Sequence, residues 1–134
     1  MRTRRYASEN AKPYTEHKAM MKRIDYFIPT RIVFGAGRLK ELATLSLPGK
    51  KALLCVTEDK LGIQQRVIEL LGQNGVSVAV FDKVTPNPTR TGVMAAAALA
   101  KESGCDFVIG LGGGSSIDTA KAASIMMANP GDLW

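Results

Sequence analysis

Three consecutive glycines and the serine after them form the stretch of this sequence best suited to chemistry. Gly112-Gly113-Gly114-Ser115 follows an apolar run, Phe107 to Leu111, and precedes an alanine-rich segment of helical character. A strand, a glycine turn and a helix start, in this order, direct backbone N–H groups and the positive end of a helix at one point. Glycine also leaves room for a large anion and tolerates positive φ. We predict a cofactor-phosphate site here; the alternative is an ordinary strand–helix loop.

The elements that must position this turn follow from the hydrophobic pattern. Each of three apolar runs of strand length is followed by a segment with helical spacing. The strands read as continuous apolar runs, which is typical of a parallel sheet covered by helices on both faces. We therefore predict an α/β, Rossmann-like domain with strands at 51–57, 76–81 and 107–111 and helices at 62–73, 89–103 and 116–128.

Two further loops are expected beside the glycine turn, because parallel strands joined by right-handed crossovers end at one edge of the sheet. The first contains Glu58 and Asp59, whose carboxylates could accept hydrogen bonds from ribose hydroxyls and would repel a 2′-phosphate, favouring NAD over NADP. They could equally be a solvated cap of the next helix. The second loop contains Asn87, which could hold a ribose or an adenine edge.

Asp118 has two interpretations. Ser115-Ser116-Ile117-Asp118 fits a capping box, in which the acidic side chain bonds back to the first amides of its helix. Alternatively, Asp118 faces the reactive end of a cofactor or the substrate. Lys121, one turn later, could pair with Asp118, bind a phosphate or be solvated.

The first part of the chain differs in character. Residues 1–19 are polar and basic, and we predict a disordered leader or extension before a domain at 20–134. The stretch 25–34 favours an edge strand or hairpin because it is β-prone but contains Pro29. Gly35-Ala36-Gly37 then predicts a turn into a short helix, since the third glycine of a dinucleotide fingerprint is replaced by Lys40.

The net charge of +6 comes mainly from the N-terminal segment. Residues 1–23 hold seven of the 18 Lys and Arg and only two acids, whereas the other 111 residues are nearly neutral. We therefore expect no nucleic-acid binding, and, because no apolar run reaches 18 residues, no membrane span. Cys55 and Cys105 lie in apolar runs without C-x-x-C spacing, which fits a reducing, cytoplasmic setting. The single histidine, His17, leaves no cluster with the spacing of a transition-metal site.

Several of these segments together resemble one enzyme family. Phe34-Gly35-Ala36-Gly37, Pro86-Asn87-Pro88-Thr89 and the run from Gly110 to Lys121 (Gly-Leu-Gly-Gly-Gly-Ser-Ser-Ile-Asp-Thr-Ala-Lys) look like the N-terminal half of the iron-containing (group III) alcohol dehydrogenases. The similarity extends over about Met21 to Trp134. It implies a dehydroquinate synthase-like N-terminal domain that binds NAD or NADP, with the family's all-helical C-terminal domain absent from this chain.

The resemblance also implies roles for individual residues. It assigns Gly113, Gly114 and Ser115 to the cofactor diphosphate, Asn87 to the nucleoside, and Asp118 to the nicotinamide–substrate side. Either Glu58 or Asp59 would meet the ribose, because this chain has Val-Thr-Glu-Asp where the family usually has Val-Thr-Asp. Fe²⁺ or Zn²⁺ is expected only in a full-length member, where it would polarise a small alcohol or aldehyde during hydride transfer. No catalytic or metal residue is assigned to this chain.

The resemblance leads us to expect a fragment of a homo-oligomeric enzyme: a truncated gene product or an isolated domain that binds cofactor weakly and is inactive alone. Two alternatives stay open. One is the glycerol dehydrogenase or dehydroquinate synthase branch, although the Ser-Ser-Ile-Asp-Thr-Ala-Lys continuation favours alcohol dehydrogenases. The other is a non-catalytic nucleotide-binding module. Met126, Met127, Leu133 and Trp134 suggest an exposed apolar surface near the end of the chain.

Overall fold

The computed structural model describes residues 25, 27–57 and 62–133. The chain divides into two units between Ile32 and Val33. In the first, residues 25 and 27–32 form neither helix nor strand. The second contains a 3-10 helix (Arg38–Ala43) and then β1 (Lys51–Val56), α1 (Ile63–Gln73), β2 (Ser77–Phe81), α2 (Arg90–Glu102), β3 (Phe107–Leu111) and α3 (Gly114–Ala128).

The three strands form one parallel sheet in the order β2-β1-β3. Lys51 pairs with Ser77 on one side of β1, and Ala52 pairs with Phe107 on the other. The chain therefore leaves β1 toward β2 and returns across β1 to reach β3. This change of direction creates a switch point between the carboxyl ends of β1 and β3, where ligands of open α/β sheets bind.

Helices cover both faces of the sheet, as the continuous apolar strands predict. Ala52 and Leu54 of β1 belong to a core cluster with Val67 and Leu71 of α1. The alternate residues of β1 face a second cluster with α2 and α3, where the helices approach through small side chains: Ala96, Ala97, Ala100, Ala120 and Ala123. The sheet predicted from the sequence is thus confirmed, with its central strand buried on both faces.

The edge strand or hairpin predicted at 25–34 does not form in the described residues of that stretch, 25 and 27–34, which corrects the expectation. Residues 27–34 have no strand assignment, and Phe27, Ile32 and Phe34 are 84%, 80% and 93% exposed. A β-prone sequence becomes a strand only when its N–H and C=O groups find a neighbouring strand. Pro29 removes one of those donors, and the described residues supply no partner strand to the others.

The predicted short helix is present as the 3-10 helix, and hydrogen bonds from a residue after α1 hold it in place. The Asn74 side-chain amide donates to the carbonyl oxygens of Leu42 and Leu45, both at 2.8 Å. Leu42 also packs against the cluster beneath α1. These contacts fasten the segment before β1 to the end of α1, although the 3-10 helix itself contains no fully buried residue.

Of the four residues predicted to form an apolar surface near the end of the chain, Trp134 lies outside the described residues and the other three pack against the core. Met126 is 4% exposed, and Met127 and Leu133 pack against the α2–α3 cluster. The segment after α3 is also tied to the start of α2, where the Arg90 guanidinium donates to both carboxylate oxygens of Asp132. In the described part of the chain, no helix has the length and apolar character needed to cross a membrane.

Candidate functional site

The glycine turn lies at the switch point of the sheet. Gly112 and Gly113 connect β3 directly to α3, and β1 ends next to them at Val56 and Thr57. A Cβ placed on Gly112 would lie 3.6 Å from the Thr57 hydroxyl oxygen. The end of β1 and the glycine turn after β3 are therefore in direct proximity, as the predicted topology requires.

Two glycines of this region are required by the chain itself. A Cβ on Gly110 would lie 2.9 Å from both the Ile117 Cα and the Ser116 carbonyl oxygen, so glycine lets β3 touch the first turns of α3. Gly112 has φ +131°, a conformation that L residues rarely adopt, and its Cβ would approach the Ser116 Oγ to 3.0 Å. Close packing explains Gly110, and the sharp turn explains Gly112.

Gly113 and Gly114 have no comparable reason within the described structure. Neither has positive φ, and a Cβ on either one would meet no atom within 4 Å. Gly114 even occupies the first position of α3, where alanine would be the better helix former. The space beside both residues is open to solvent, so an external group could contact this backbone directly.

The amides at the start of α3 are available to such a group. No side chain caps this helix, and its first helical bond runs from the Ile117 N–H to the Gly113 carbonyl at 3.2 Å. The N–H groups of Gly114, Ser115 and Ser116 therefore have no helical acceptor. The first turn contains no acidic residue, so the positive end of the 15-residue helix is not neutralised locally. This combination suits an anion such as a phosphate.

The other long helix on this face begins differently. The Thr89 hydroxyl caps α2 by accepting from the Gly92 N–H at 3.1 Å, as predicted from the sequence. A capped start has one fewer free amide for a ligand. The start of α3 therefore leaves more amides without a side-chain acceptor than the start of α2 does.

The capping box predicted for α3 does not form. The helix begins at Gly114 rather than 116, its N-cap is Gly113, and the Asp118 carboxylate makes no cap hydrogen bond. Asp118 instead lies one turn into α3 with its side chain 65% exposed, and its Oδ1 is 3.6 Å from the Lys121 Nζ. The reason is the glycine turn, which bends tightly enough to start the helix two residues before Ser116.

The remaining predicted binding residues are more scattered. Asn87 is exposed in the loop after β2, with φ 56°. It shares the carboxyl edge of the sheet, but β2 and β3 flank β1 and are therefore about 10 Å apart. Glu58 and Asp59 lie outside the described residues. The structure thus groups Gly113, Gly114 and Ser115, with Asp118 one turn further and Asn87 at the far side of the edge.

Ser116 is the feature of this site that the sequence did not reveal. It is completely buried, and its hydroxyl has no hydrogen-bond partner. Neither the glycine spacing nor the capping-box pattern indicates which serine points inward. The helical spacing of Ser116, Thr119 and Ala123, which share the buried face of α3, is the signal that could have identified Ser116 as buried.

The groups with shifted pKa values lie away from the glycine turn or deep in the core. Asp106, before β3, accepts hydrogen bonds from the Lys50 and Lys51 amides at 2.7 and 2.9 Å, and these bonds lower the pKa of its carboxyl group. Asp106 and the starts of β1 and β3 lie at the amino edge of the sheet, opposite the glycine turn.

Burial raises the pKa of the Cys55 thiol to about 11 and also raises that of Cys105. Both cysteines are therefore neutral thiols near pH 7.

Within residues 25, 27–57 and 62–133, no three His, Cys, Asp or Glu side chains lie close enough together to hold a metal ion. These residues consequently do not fit the Fe²⁺ or Zn²⁺ that the family resemblance implies for a full-length member. The site at the glycine turn offers amide and hydroxyl donors, which are suited to an anion.

Comparison with known proteins agrees with this description. The family model for iron-containing alcohol dehydrogenase matches residues 29–134. The NAD-dependent methanol dehydrogenase of Bacillus methanolicus is 39% identical over 113 residues, covering 81% of this chain and 30% of the relative. An NADH-dependent butanol dehydrogenase from Thermotoga maritima superposes with a TM-score of 0.76 at 29% identity, over 85% of this chain and 30% of that structure.

A third relative was solved with its cofactor. Sulfoacetaldehyde reductase from Bifidobacterium kashiwanohense, in complex with NAD⁺, superposes with a TM-score of 0.69 at 28% identity, over 84% of this chain and 30% of that structure. The fold defines a Rossmann-like α/β domain with a glycine turn at the switch point of its sheet. The chain belongs to the iron-containing alcohol dehydrogenase family. It spans about 30% of the length of the curated relatives it matches.

Proposed function

We propose that this chain is the N-terminal, cofactor-binding part of an iron-dependent alcohol dehydrogenase that transfers hydride between an alcohol or aldehyde and NAD(P). The observation that carries the proposal is the uncapped start of α3 at the switch point of the sheet, where Gly113 and Gly114 leave open space beside amides without a helical acceptor. The relatives named as NAD- and NADH-dependent enzymes support it. They also favour the alcohol dehydrogenase branch over a glycerol dehydrogenase or dehydroquinate synthase relative and over a non-catalytic module.

In this proposal the cofactor diphosphate lies against the start of α3. The amides of Gly113, Gly114 and Ser115 donate to phosphate oxygens, and the Ser115 hydroxyl adds a further donor. The positive end of α3 favours the charge of the diphosphate. Asn87 contacts the nucleoside, and Asp118 lies toward the nicotinamide and substrate. When bound, the nicotinamide supplies hydride transfer chemistry.

The test is a calorimetric titration of NAD into the chain and into Gly114→Ala. A Cβ at position 114 would occupy the space of the diphosphate, so we expect affinity to fall at least tenfold. Folding stability should be unchanged or rise by about 0.5–1 kcal/mol, because alanine replaces a helical glycine. The matched control is Gly72→Ala in α1, where a Cβ also meets no atom within 4 Å.

The two variants separate binding from folding. Gly72→Ala should gain similar stability and retain the affinity of the unaltered chain for NAD. Equal NAD affinity in the Gly114→Ala variant and in the unaltered chain would contradict contact between the cofactor and this turn.

We further propose a preference for NAD over NADP that depends on Glu58 and Asp59. A carboxylate at the end of β1 would accept hydrogen bonds from the ribose hydroxyls and repel a 2′-phosphate. The double substitution Glu58→Gly and Asp59→Gly should therefore lower the affinity for NAD and leave the affinity for NADP equal or higher. Parallel titrations with the two cofactors measure both affinities. An unchanged ratio of the two affinities would exclude these carboxylates as the source of the preference.

We also propose several properties of the whole protein. They include a domain spanning 20–134, a small alcohol or aldehyde as substrate, a homo-oligomeric assembly and a cytoplasmic location. The basic segment 1–19 lies outside the described residues.

A further inference from the structure

Ser116 has a buried hydroxyl group without a hydrogen-bond partner. The residue is 0% exposed, and its Oγ is the buried side-chain polar atom left unpaired in the described structure. Native proteins rarely retain such groups, because an unsatisfied buried hydroxyl loses its bonds to water without replacement. An explanation for Ser116 should therefore lie in another state of the same site.

The position of this hydroxyl indicates which group it could bind. A Cβ built on Gly112 would be 3.0 Å from the Ser116 Oγ, so the hydroxyl lies against the backbone of the turn. The peptide group between Gly112 and Gly113 follows this contact directly in the chain. Glycine on both sides of this peptide makes its rotation easy, since no Cβ restricts the adjoining dihedral angles.

A trans peptide has its C=O and N–H on opposite sides. If the Gly112 carbonyl turns inward toward Ser116, the Gly113 N–H turns outward, and Gly113 itself is exposed to solvent. The inward carbonyl then accepts from the Ser116 hydroxyl, and the outward amide can donate to an anion. One rotation therefore satisfies both the buried hydroxyl and the ligand.

We propose that Ser116 is a positioning residue for the diphosphate, whose hydroxyl donates to the Gly112 carbonyl in the bound state and thereby aims the Gly113 N–H at a phosphate oxygen. This inference rests on the proposed function. Because the Ser116 hydroxyl is buried beneath the turn, it acts on the ligand through the peptide and not by contact.

The proposal predicts opposite effects of Ser116→Ala on folding and on binding. In the free chain the substitution removes an unsatisfied polar atom, so resistance to urea should be equal or higher. In the complex it removes a hydrogen bond, so affinity for NAD should fall about two- to tenfold. A residue with a purely structural role would instead lose stability on truncation.

The experiment uses two probes besides NAD. Inorganic pyrophosphate reports on the turn alone, and adenosine reports on the nucleoside region. Ser116→Ala should weaken NAD and pyrophosphate by similar factors and leave adenosine binding unchanged. The control is Ser124→Ala, the same change on the same helix, where the exposed hydroxyl donates to the Lys121 carbonyl at 2.7 Å. It should leave all three affinities unchanged.

The outcomes separate this inference from the proposed function. Failure of the unaltered chain to bind NAD would overturn the proposed function, and the role of Ser116 with it. NAD binding by the unaltered chain with equal binding by Ser116→Ala would overturn only the role of Ser116. A loss of folding stability in Ser116→Ala, together with an equal loss of affinity for all three ligands, would also overturn only the role of Ser116.

Discussion

Asp106 joins the starts of two neighbouring strands through one carboxylate oxygen. Its Oδ2 accepts from the amides of Lys50 and Lys51, and its own N–H donates to the Lys51 carbonyl at 2.7 Å. These bonds favour the ionised carboxylate and lower its pKa in the folded chain below the ordinary value of about 3.9. Folding therefore gains stability from Asp106 at pH values above the unfolded pKa and loses it as the pH falls through the folded pKa.

This linkage predicts the behaviour of Asp106→Ala. The variant should be less stable than the unaltered chain at pH 7, and the difference should be constant down to about pH 5 and narrow below about pH 4. Urea unfolding between pH 7 and pH 2.5 measures it. Asp82→Ala, at an exposed position after β2 with no hydrogen bond within the described structure, is the control and should show neither effect. A difference that is independent of pH would contradict the role of the carboxylate.

Residue types predicted the candidate site but not the structural role of each glycine. Three glycines after an apolar run suffice to predict an anion-binding turn, because the requirement for small residues is local. The distinction between Gly112, needed for its backbone angle, and Gly113 and Gly114, which face open space, depends on atoms four residues away on α3. The burial of Ser116 likewise depends on how α3 meets the sheet.

The contact between β3 and α3 is the element that fixes the direction of the glycine turn. Gly110 permits it, since a Cβ there would lie 2.9 Å from the Ile117 Cα and the Ser116 carbonyl oxygen, and 3.1 Å from the Ala120 Cβ. Two of these three atoms belong to the backbone and cannot move without displacing the helix. The alignment of the α3 amides with the end of β3 therefore depends on a residue that would not touch the ligand.

Gly110→Ala should accordingly reduce both stability and binding. We expect a loss on the order of 1–3 kcal/mol, typical of overpacking in a tight interface, and weaker NAD binding because the start of α3 is displaced. Urea unfolding measures the folding stability, and titration measures the affinity for NAD. Gly72→Ala is the control and should lose neither stability nor affinity. An unaltered folding stability in Gly110→Ala would show that α3 can withdraw from β3 without cost.

The elements were predictable where their signals were local. The continuous strands and the Thr89 cap of α2 follow directly from short stretches of sequence and are confirmed. The capping box, one of the two interpretations of Asp118, does not form because α3 already begins at Gly114, before the serine of the pattern. The strand at 25–34 was wrong because β-propensity does not provide a neighbouring strand.

At the scale of the whole molecule, the sequence predicted the fold class but not the order of the strands. Three apolar runs indicate a parallel sheet covered on both faces, yet nothing in them specifies that β1 lies between β2 and β3. That order creates the switch point next to the glycine turn. It also places Thr57 beside Gly112 and leaves Asn87 on the opposite side of β1. The grouping of binding residues is therefore a property of the assembled sheet.

The central claim is that a nicotinamide dinucleotide binds through its diphosphate to the start of α3. Backbone amide NMR spectra of the ¹⁵N-labelled chain, recorded during titration with NAD, test it most directly. We predict that the resonances of Gly113, Gly114 and Ser115 shift most, whereas those of Gly72 in α1 and Gly104 before β3 stay in place. Unmoved turn resonances at saturating NAD, or larger shifts at Gly72 and Gly104, would contradict the claim.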